Sequence, residues 1–369
     1  MYHHDPDAHA SHPLTRLGWT DRVAEAFDAL VPTSPHTLVP ARVAAARRGG
    51  AEVLLPGPEN AEHAPAVRRA ARTDPAAAPT SGDWVALRRS GDTWLVEAVL
   101  ERSSSLVRQG VAADSHDQVL AANVDGVLIC EAADQGPNPG RLERFLSLAW
   151  SGGSAPTVAV TKADLAGDRL PEALELAASV APGADVHPVS AHTGEGVDAL
   201  ARILLPGSTW VFLGTSGAGK SSLVNAIAGR TLMATGEIRQ DKRGRHTTTH
   251  RQLLVLPGGA LVLDIPGLRR VDVTGDTSAV DRTFDDIREL AELCRFADCS
   301  HGPEPGCAVT AAAAEGDLDP ARLGRWNKLR REAERNRDRT EHRLRARDKQ
   351  RTKTYGRIAR DARRRKGGR

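Results

Sequence analysis

The sequence predicts an α/β protein of several domains, with a mostly parallel sheet at its centre, a small antiparallel β-barrel or sandwich before it and a helical segment after it. Three observations carry that expectation. Between Val119 and about Leu268, short wholly apolar runs alternate with helix-length segments, the pattern of a sheet covered on both faces. Between Val39 and Leu106 the apolar runs are short and punctuated by Gly, Pro and Asp. After about Phe284 the chain turns helical, passes through a Cys/His cluster and ends in an Arg-rich stretch. At 369 residues, 40% of them hydrophobic, the chain is too long for one ordinary core and apolar enough for two or three.

In chain order, residues 1–36 read as an adaptable N-terminal arm with one short amphipathic stretch, LGWTDRVAEAFDAL, able to form a helix. Residues 37–106 hold the barrel, whose segment APAVRRAARTDPAAAPTSGD reads as a surface loop because it lacks alternating apolar positions. The α/β domain spans 107–283, with strands expected at VDGVLI, PTVAV, VHPVS, WVFLG, LLVLP and ALVLD. A helical, cysteine-containing domain follows at 284–335 and a basic tail at 336–369. No internal repeat of fixed period is present.

Composition narrows the class. No run approaches the roughly 20 apolar residues that span a bilayer, and the opening MYHHDPDAHASHP lacks the order of a signal peptide, so a cytoplasmic protein is expected. Three of the four cysteines crowd between Cys294 and Cys307, which in a reducing compartment points to metal ligation. The net charge of +3 conceals an asymmetry: residues 341–369 carry 13 Lys or Arg against three acids. Such a segment attracts polyanions, and nucleic acid is the leading candidate partner, with a solvated charge run as the alternative.

The strand WVFLG runs directly into Gly214-Thr215-Ser216-Gly217-Ala218-Gly219-Lys220-Ser221, with Ser222 opening a helical pattern, the context a phosphate-binding Walker A loop requires. Gly217 and Gly219 let backbone N–H groups face phosphate, Lys220 can reach the β- and γ-phosphates, and Ser221 can ligate Mg²⁺. Downstream, ALVLDIPG ends a strand at Asp264, suited to hold Mg²⁺, and Gly267 can offer its N–H to the γ-phosphate. Asp264 as a plain turn residue is the alternative.

The base is chosen by PTVAVTKADL, where Asp164 can accept two hydrogen bonds from guanine N1 and its exocyclic amine, which adenine cannot match. Lys162 would pack across the base or loop, and Ser190-Ala191 at the end of VHPVS could reach guanine O6 through a backbone N–H. Thr161 stands where this motif most often has Asn, so Asp164 would carry most of the specificity.

CRFADCSHGPEPGC supplies Cys294, Cys299, His301 and Cys307, three thiolates and one imidazole, enough for a closed tetrahedral Zn²⁺ site of structural type. Cys130, at the end of an apolar strand, reads as a core thiol. Trp84 and Trp94 read as core residues, with stacking on a nucleic-acid base as the alternative.

In ordinary small GTPases the phosphate loop precedes the guanine motifs; here TKAD and SA come before GTSGAGKSS, and RHTTTH and DIPG after it. This circularly permuted order, with GDWV, SSSLVRQG and NVDGVLI as further landmarks, resembles the ribosome small-subunit-dependent GTPase family called RsgA, YjeQ or EngC, from roughly Val39 to Arg330. The resemblance implies an OB-type barrel before a permuted P-loop GTPase domain and a zinc-binding helical domain after it. It implies GTP hydrolysis stimulated by the small ribosomal subunit, binding of GTP, GDP and rRNA, and a late assembly role; a monomer without a membrane is expected. QDKRGRHTTTH contains the family's threonine-rich switch segment, so Thr247, Thr248 or Thr249 would ligate Mg²⁺. By position His246 would orient the attacking water, since Leu268 stands where some GTPases have a glutamine, or it is a solvated loop histidine. Because DIPG comes last, the segment sensing the γ-phosphate leads straight into the C-terminal domain. An RNA-binding scaffold with a structural nucleotide is the rival reading, and a metabolic P-loop kinase a third.

Overall fold

A computed structural model of the chain describes residues 13–47, 49–56, 62–68, 78–109, 117–234, 252–264, 273–302 and 304–366. They form two units, Met1–Asp272 and Val273–Arg369.

The first unit opens on helix α1 (Asp21–Asp28). The amphipathic stretch expected in the N-terminal arm forms this helix, and the arm is packed from Leu14 onward: Leu14 and Leu17 are buried, and Trp19 packs edge-on against Phe27 and Trp84. Five strands follow, β1 (Leu38–Arg47), β2 (Gly50–Leu55), β3 (Glu62–Arg68), β4 (Trp84–Ser90) and β5 (Thr93–Val99), closing a barrel in the order β1-β2-β3-β5-β4. Its inward residues alternate as strand geometry demands: Ala41 and Val43, Ala51, Val53 and Leu55, Val85 and Leu87. Bulges between Val43 and Ala45 and between Ala86 and Leu87 add the bending that closure needs. β3 contains APAVR, assigned above to a surface loop; Ala66 is buried in the barrel and the strand gains its place by pairing with β2 and β5. Trp84 is core, and Trp94 is half-buried beneath the Arg89 guanidinium.

A two-stranded ribbon, β6 (Ser105–Arg108) with β7 (Gln118–Ala122), leads into a six-stranded sheet. Its chain order is β8 (Gly126–Ala132), α2 (Pro139–Ser151), β9 (Ala155–Thr161), α3 (Leu170–Val180), β10 (Asp185–Val189), α4 (Val197–Ile203), β11 (Thr209–Leu213), α5 (Lys220–Ala228), β12 (Gln252–Val255) and β13 (Leu261–Asp264). In space the order is β10-β9-β8-β11-β13-β12, all parallel except edge strand β12. All six strands expected from sequence are present. Successive residues feed opposite layers: Val127 and Ile129, Val211 and Leu213 go to one core, Leu128 and Cys130, Trp210 and Phe212 to the other.

A buried arginine ties barrel to sheet. Arg42 on β1 donates to Thr209 Oγ1 at 2.8 Å, to the carbonyls of Gly82 and Asn123 at 3.3 Å, and to that of Leu17. Burial lowers its pKa to about 10. The GDWV landmark finds its reason beside it: buried Asp83 accepts two hydrogen bonds from Arg102, at 2.7 and 2.8 Å, and one from Thr80 N at 2.7 Å.

The second unit holds α6 (Thr277–Thr283), α7 (Asp285–Ala291), α8 (Ala308–Glu315) and α9 (Pro320–Lys366) around Val280, Phe284, Ile287, Trp326 and Leu329. It includes α6, which the sequence reading left with the α/β domain. α9 runs unbroken through the boundary expected at 336. Its packed portion reaches Asn336, whose Nδ2 donates to Val273 O at 2.9 Å; over 47 residues the helix is about 70 Å long. Among the described residues no helix is long and apolar enough to cross a membrane.

Candidate functional site

Parallel strands end on one side of their sheet, and a crevice outside the carboxyl ends is where open α/β sheets bind ligands. Here β11 delivers Gly214, β9 delivers Thr161 to Asp164, β10 delivers Ser190 and Ala191, and β13 delivers Asp264 to that side.

The loop from Gly214 to Gly219 links β11 to α5 and owes its shape to three glycines, with φ values of 147°, 81° and 79° at Gly214, Gly217 and Gly219. A Cβ on Gly214 would stand 2.5 Å from the Cys130 carbonyl oxygen, so the loop leaves the sheet too close to β8 for any side chain. Thr215, Ser216, Gly217 and Ser222 are exposed, Ser221 is half-buried and Ala218 is buried, anchoring the loop from beneath. Lys220 Nζ donates to the carbonyls of Gly214 at 2.8 Å and Thr215 at 2.6 Å. Burial lowers the pKa of this ammonium and raises that of Asp264, and the two groups oppose those shifts in each other. A hydroxyl at Ser221 and a carboxylate at Asp264 are hard oxygen donors of the kind Mg²⁺ takes.

Thr161, which stands where the guanine motif most often has Asn, is engaged with the phosphate loop. Its side chain is buried, and its hydroxyl lies 2.8 Å from Ala218 O, to which it donates, with Glu131 O also in range at 3.3 Å. The end of β9 is thereby tied to the phosphate loop. Asp164 is exposed at the mouth. Lys162 takes a left-handed conformation, φ 55° and ψ 39°, and its Nζ lies 3.0 Å from Asp134 Oδ2. Buried Ser190 uses its hydroxyl oxygen to accept the N–H groups of His192 and Thr193 at 3.2 and 3.1 Å, shaping the turn that carries half-buried Ala191. Asp134 and Arg42 were missed from sequence, because their partners lie 28 and 167 residues away. His246, Thr247, Thr248, Thr249 and Gly267 lie outside the described residues.

In the second unit the ligand atoms of Cys294, Cys299, His301 and Cys307 all lie within 4.8 Å of one another. Cys294 Sγ stands 3.9 Å from Cys307 Sγ, and His301 Nδ1 is 3.5 and 3.6 Å from those two sulfurs. Sulfurs bound at about 2.3 Å around one tetrahedral ion would be separated by nearly that spacing, so the donor set fits zinc. The arrangement is built locally. Cys307 caps α8, its sulfur accepting from Thr310 N at 3.5 Å, and His301 takes a left-handed φ of 56°. Burial opposes ionisation of Cys307, but hydrogen bonds from Thr310 and His301 outweigh it and bring the thiol to about 6. Glu304, also missed from sequence, braces the loop by accepting from Gly302 N at 2.7 Å, Ser300 N at 3.3 Å and the Ser300 hydroxyl. Cys130 is a core thiol, fully buried and pushed up to about 12.

Comparison with known proteins agrees with this geometry. The profile of the RsgA GTPase family matches residues 99–274. The small ribosomal subunit biogenesis GTPase RsgA of Streptomyces coelicolor is 42% identical over 364 residues, covering 96% of each chain. Its namesake in Opitutus terrae is 40% identical over 331 residues, covering 86% of this chain and 89% of that one. Among solved structures, YjeQ from Thermotoga maritima superposes with a TM-score of 0.61 at 24% identity, over 80% of this chain and 99% of that one. YloQ, a circularly permuted GTPase, superposes with a TM-score of 0.58 at 26% identity, over 82% of this chain and 96% of that one.

Proposed function

This chain belongs to the RsgA GTPase family, and from that premise we propose that it hydrolyses GTP on the small ribosomal subunit, serving a late assembly step as a cytoplasmic monomer and leaving once GTP is cleaved. The observation that carries the reading is convergence: the phosphate loop, TKAD, SA and Asp264 are scattered in permuted order along the sequence, yet all lie at the carboxyl ends of parallel strands of one sheet.

In this reading the backbone N–H groups from Ser216 to Ser221 and the Lys220 ammonium hold the β- and γ-phosphates, and Asp164 reads the guanine edge with help from the Ala191 N–H. Ser221, Asp264 and a hydroxyl among Thr247, Thr248 and Thr249 would hold Mg²⁺, which when bound neutralises charge developing between the β- and γ-oxygens. In the same reading Gly267 would offer its N–H to the γ-phosphate and His246 would orient the attacking water. The Lys220 carbonyl contacts define where its ammonium sits, so nucleotide has only to exchange two neutral acceptors for phosphate oxygens.

The Cys294, Cys299, His301 and Cys307 set supports a structural Zn²⁺ that fixes the second unit. The closed five-stranded barrel with a parallel β3–β5 pair supports an OB-type domain with an RNA-binding face. The Arg-rich half of α9 supports a sequence-independent grip on rRNA phosphates, weakening as salt rises.

Equilibrium binding of fluorescent GDP and ADP to the full chain with Mg²⁺ tests the guanine assignment. We expect GDP to be preferred by at least about 100-fold, and Asp164→Ala to erase most of that margin, because a carboxylate that accepts two base hydrogen bonds rejects a base lacking them. Equal affinity for the two nucleotides would sink the assignment.

A further inference from the structure

We infer that Asp134 is a positioning residue of the nucleotide site, holding Lys162 across the plane of the guanine ring; the inference rests on the guanine-nucleotide reading above. Asp134 lies two residues beyond the end of β8 at Ala132. The backbone brings it to Lys162. Ala132 pairs with Thr161, and Ala133 N donates to Thr161 O at 2.8 Å, so the residues that follow each strand leave the sheet side by side.

Two constraints then act on Lys162. Its backbone is in the left-handed region, which a lysine adopts only where its surroundings hold it. Its Nζ, at the other end of a four-carbon stem, lies 3.0 Å from Asp134 Oδ2. A stem pinned at both ends is a flat apolar bar, the shape that packs against a purine face. The two side chains are 29% and 28% exposed, at the rim of the crevice where a base would lie beside Asp164.

The free oxygen of Asp134 separates this pair from an ordinary structural one. Asp134 Oδ1 is shut off from solvent without a hydrogen-bond partner among the described residues, whereas buried carboxylates normally fill both oxygens. Glu131, three residues earlier, shows the normal arrangement: Arg141 Nε donates to Oε1 at 2.9 Å, and Arg141 Nη2 and Asn138 N both donate to Oε2. Glu131 is satisfied by the fold; Asp134 is committed to Lys162 through one oxygen.

A double-mutant cycle on GDP affinity tests the inference, using displacement of a fluorescent GDP analogue from the full chain with Mg²⁺. Asp134→Ala is expected to weaken GDP about fivefold, the scale of a well-placed half-exposed ion pair, mainly through faster release. The double variant with Lys162→Ala should bind no worse than Lys162→Ala alone, and Asp134→Glu should recover part of the loss. Inosine diphosphate should weaken by the same factor as GDP in Asp134→Ala, because a bar across the ring face does not read the exocyclic amine; Asp164→Ala should instead erase the difference between the two ligands. Full additivity of the single losses, or wild-type GDP affinity in Asp134→Ala, overturns the inference and leaves the guanine reading standing. A wild-type chain that binds ADP as tightly as GDP overturns the guanine reading and this inference with it. Thermal unfolding without nucleotide controls for damage to the fold, and if Asp134→Ala lowers Tm the cycle is run on Asp134→Asn, which keeps the side chain's size.

Discussion

In the first unit, alternate residues of the central strands fill two apolar layers, and the phosphate loop rests on that frame through Ala218 and the β8 backbone beside Gly214. The second unit has a modest core around Phe284, Ile287 and Trp326, and against it stand three thiols and an imidazole gathered within 4.8 Å of one another. The phosphate loop is therefore carried by an apolar frame, whereas the second unit has a donor set that fits zinc, and a bound ion would link its order to metal. Cysteine chemistry marks the same contrast: Cys130 is sealed inside the sheet, while Cys294 and Cys299 are only partly buried.

The largest effect follows from taking the metal away. Binding free energy on the order of 10 kcal/mol holds small zinc domains together, so a strong chelator should cost the second unit its helical circular dichroism and expose Cys294, Cys299 and Cys307 to a thiol reagent. Cys130 should stay unreactive and GDP binding should persist. Loss of GDP binding in step with helicity would break the contrast. Next in size, Lys220→Ala should lower the rate of GTP hydrolysis by roughly 10²- to 10³-fold, the scale of losing one charged donor to the transferred group, with bound zinc unchanged; retained turnover would remove the phosphate loop from the chemistry.

Smaller changes sharpen the picture within the first unit. Gly214→Ala must shift a backbone carbonyl 2.5 Å away, and a loss of about 1–3 kcal/mol in unfolding free energy is expected. Gly217→Ala meets nothing within 4 Å, so it should cost only its strained φ, about 1 kcal/mol. Equal losses at the two positions in urea unfolding would contradict the close approach at Gly214. Smallest is Thr161→Val, which keeps the packing but strands the Ala218 carbonyl: about 1 kcal/mol, or roughly fivefold in GDP affinity, should go, and an unchanged affinity would show that the tie between β9 and the phosphate loop is idle.

How much of this was legible from sequence depended on what each residue has to bury. The inner strands of the sheet, β8, β9, β11 and β13, announced themselves because they are almost wholly buried and hence apolar, as in WVFLG and ALVLD. The phosphate loop and the Cys/His cluster were legible because their chemistry is local, complete within eight and 14 consecutive residues. β3 was not, since APAVR is small and mixed in polarity and is made a strand by neighbours on either side rather than by its own pattern. Thr161 stood out only as a replacement for the usual Asn; the approach of β9 to Ala218 shows it tying the strand end to the phosphate loop. Arg42 drew no notice, because nothing in sequence announces that four acceptors from distant segments surround it. Long-range polar pairs are specified by topology, and topology becomes readable only after the strands are ordered.

Whether the phosphate loop works as a GTPase in response to the small ribosomal subunit is decided by steady-state GTP hydrolysis with and without purified small subunits, with Lys220→Ala as the blank and ATP as the competing substrate. The isolated chain should turn over slowly, with at least about a tenfold rise on adding subunits, the scale on which an added group completes a phosphoryl-transfer site, no rise in the blank and little inhibition by ATP. Turnover that is the same with and without subunits would contradict that expectation and favour an RNA-binding scaffold in which nucleotide is only structural.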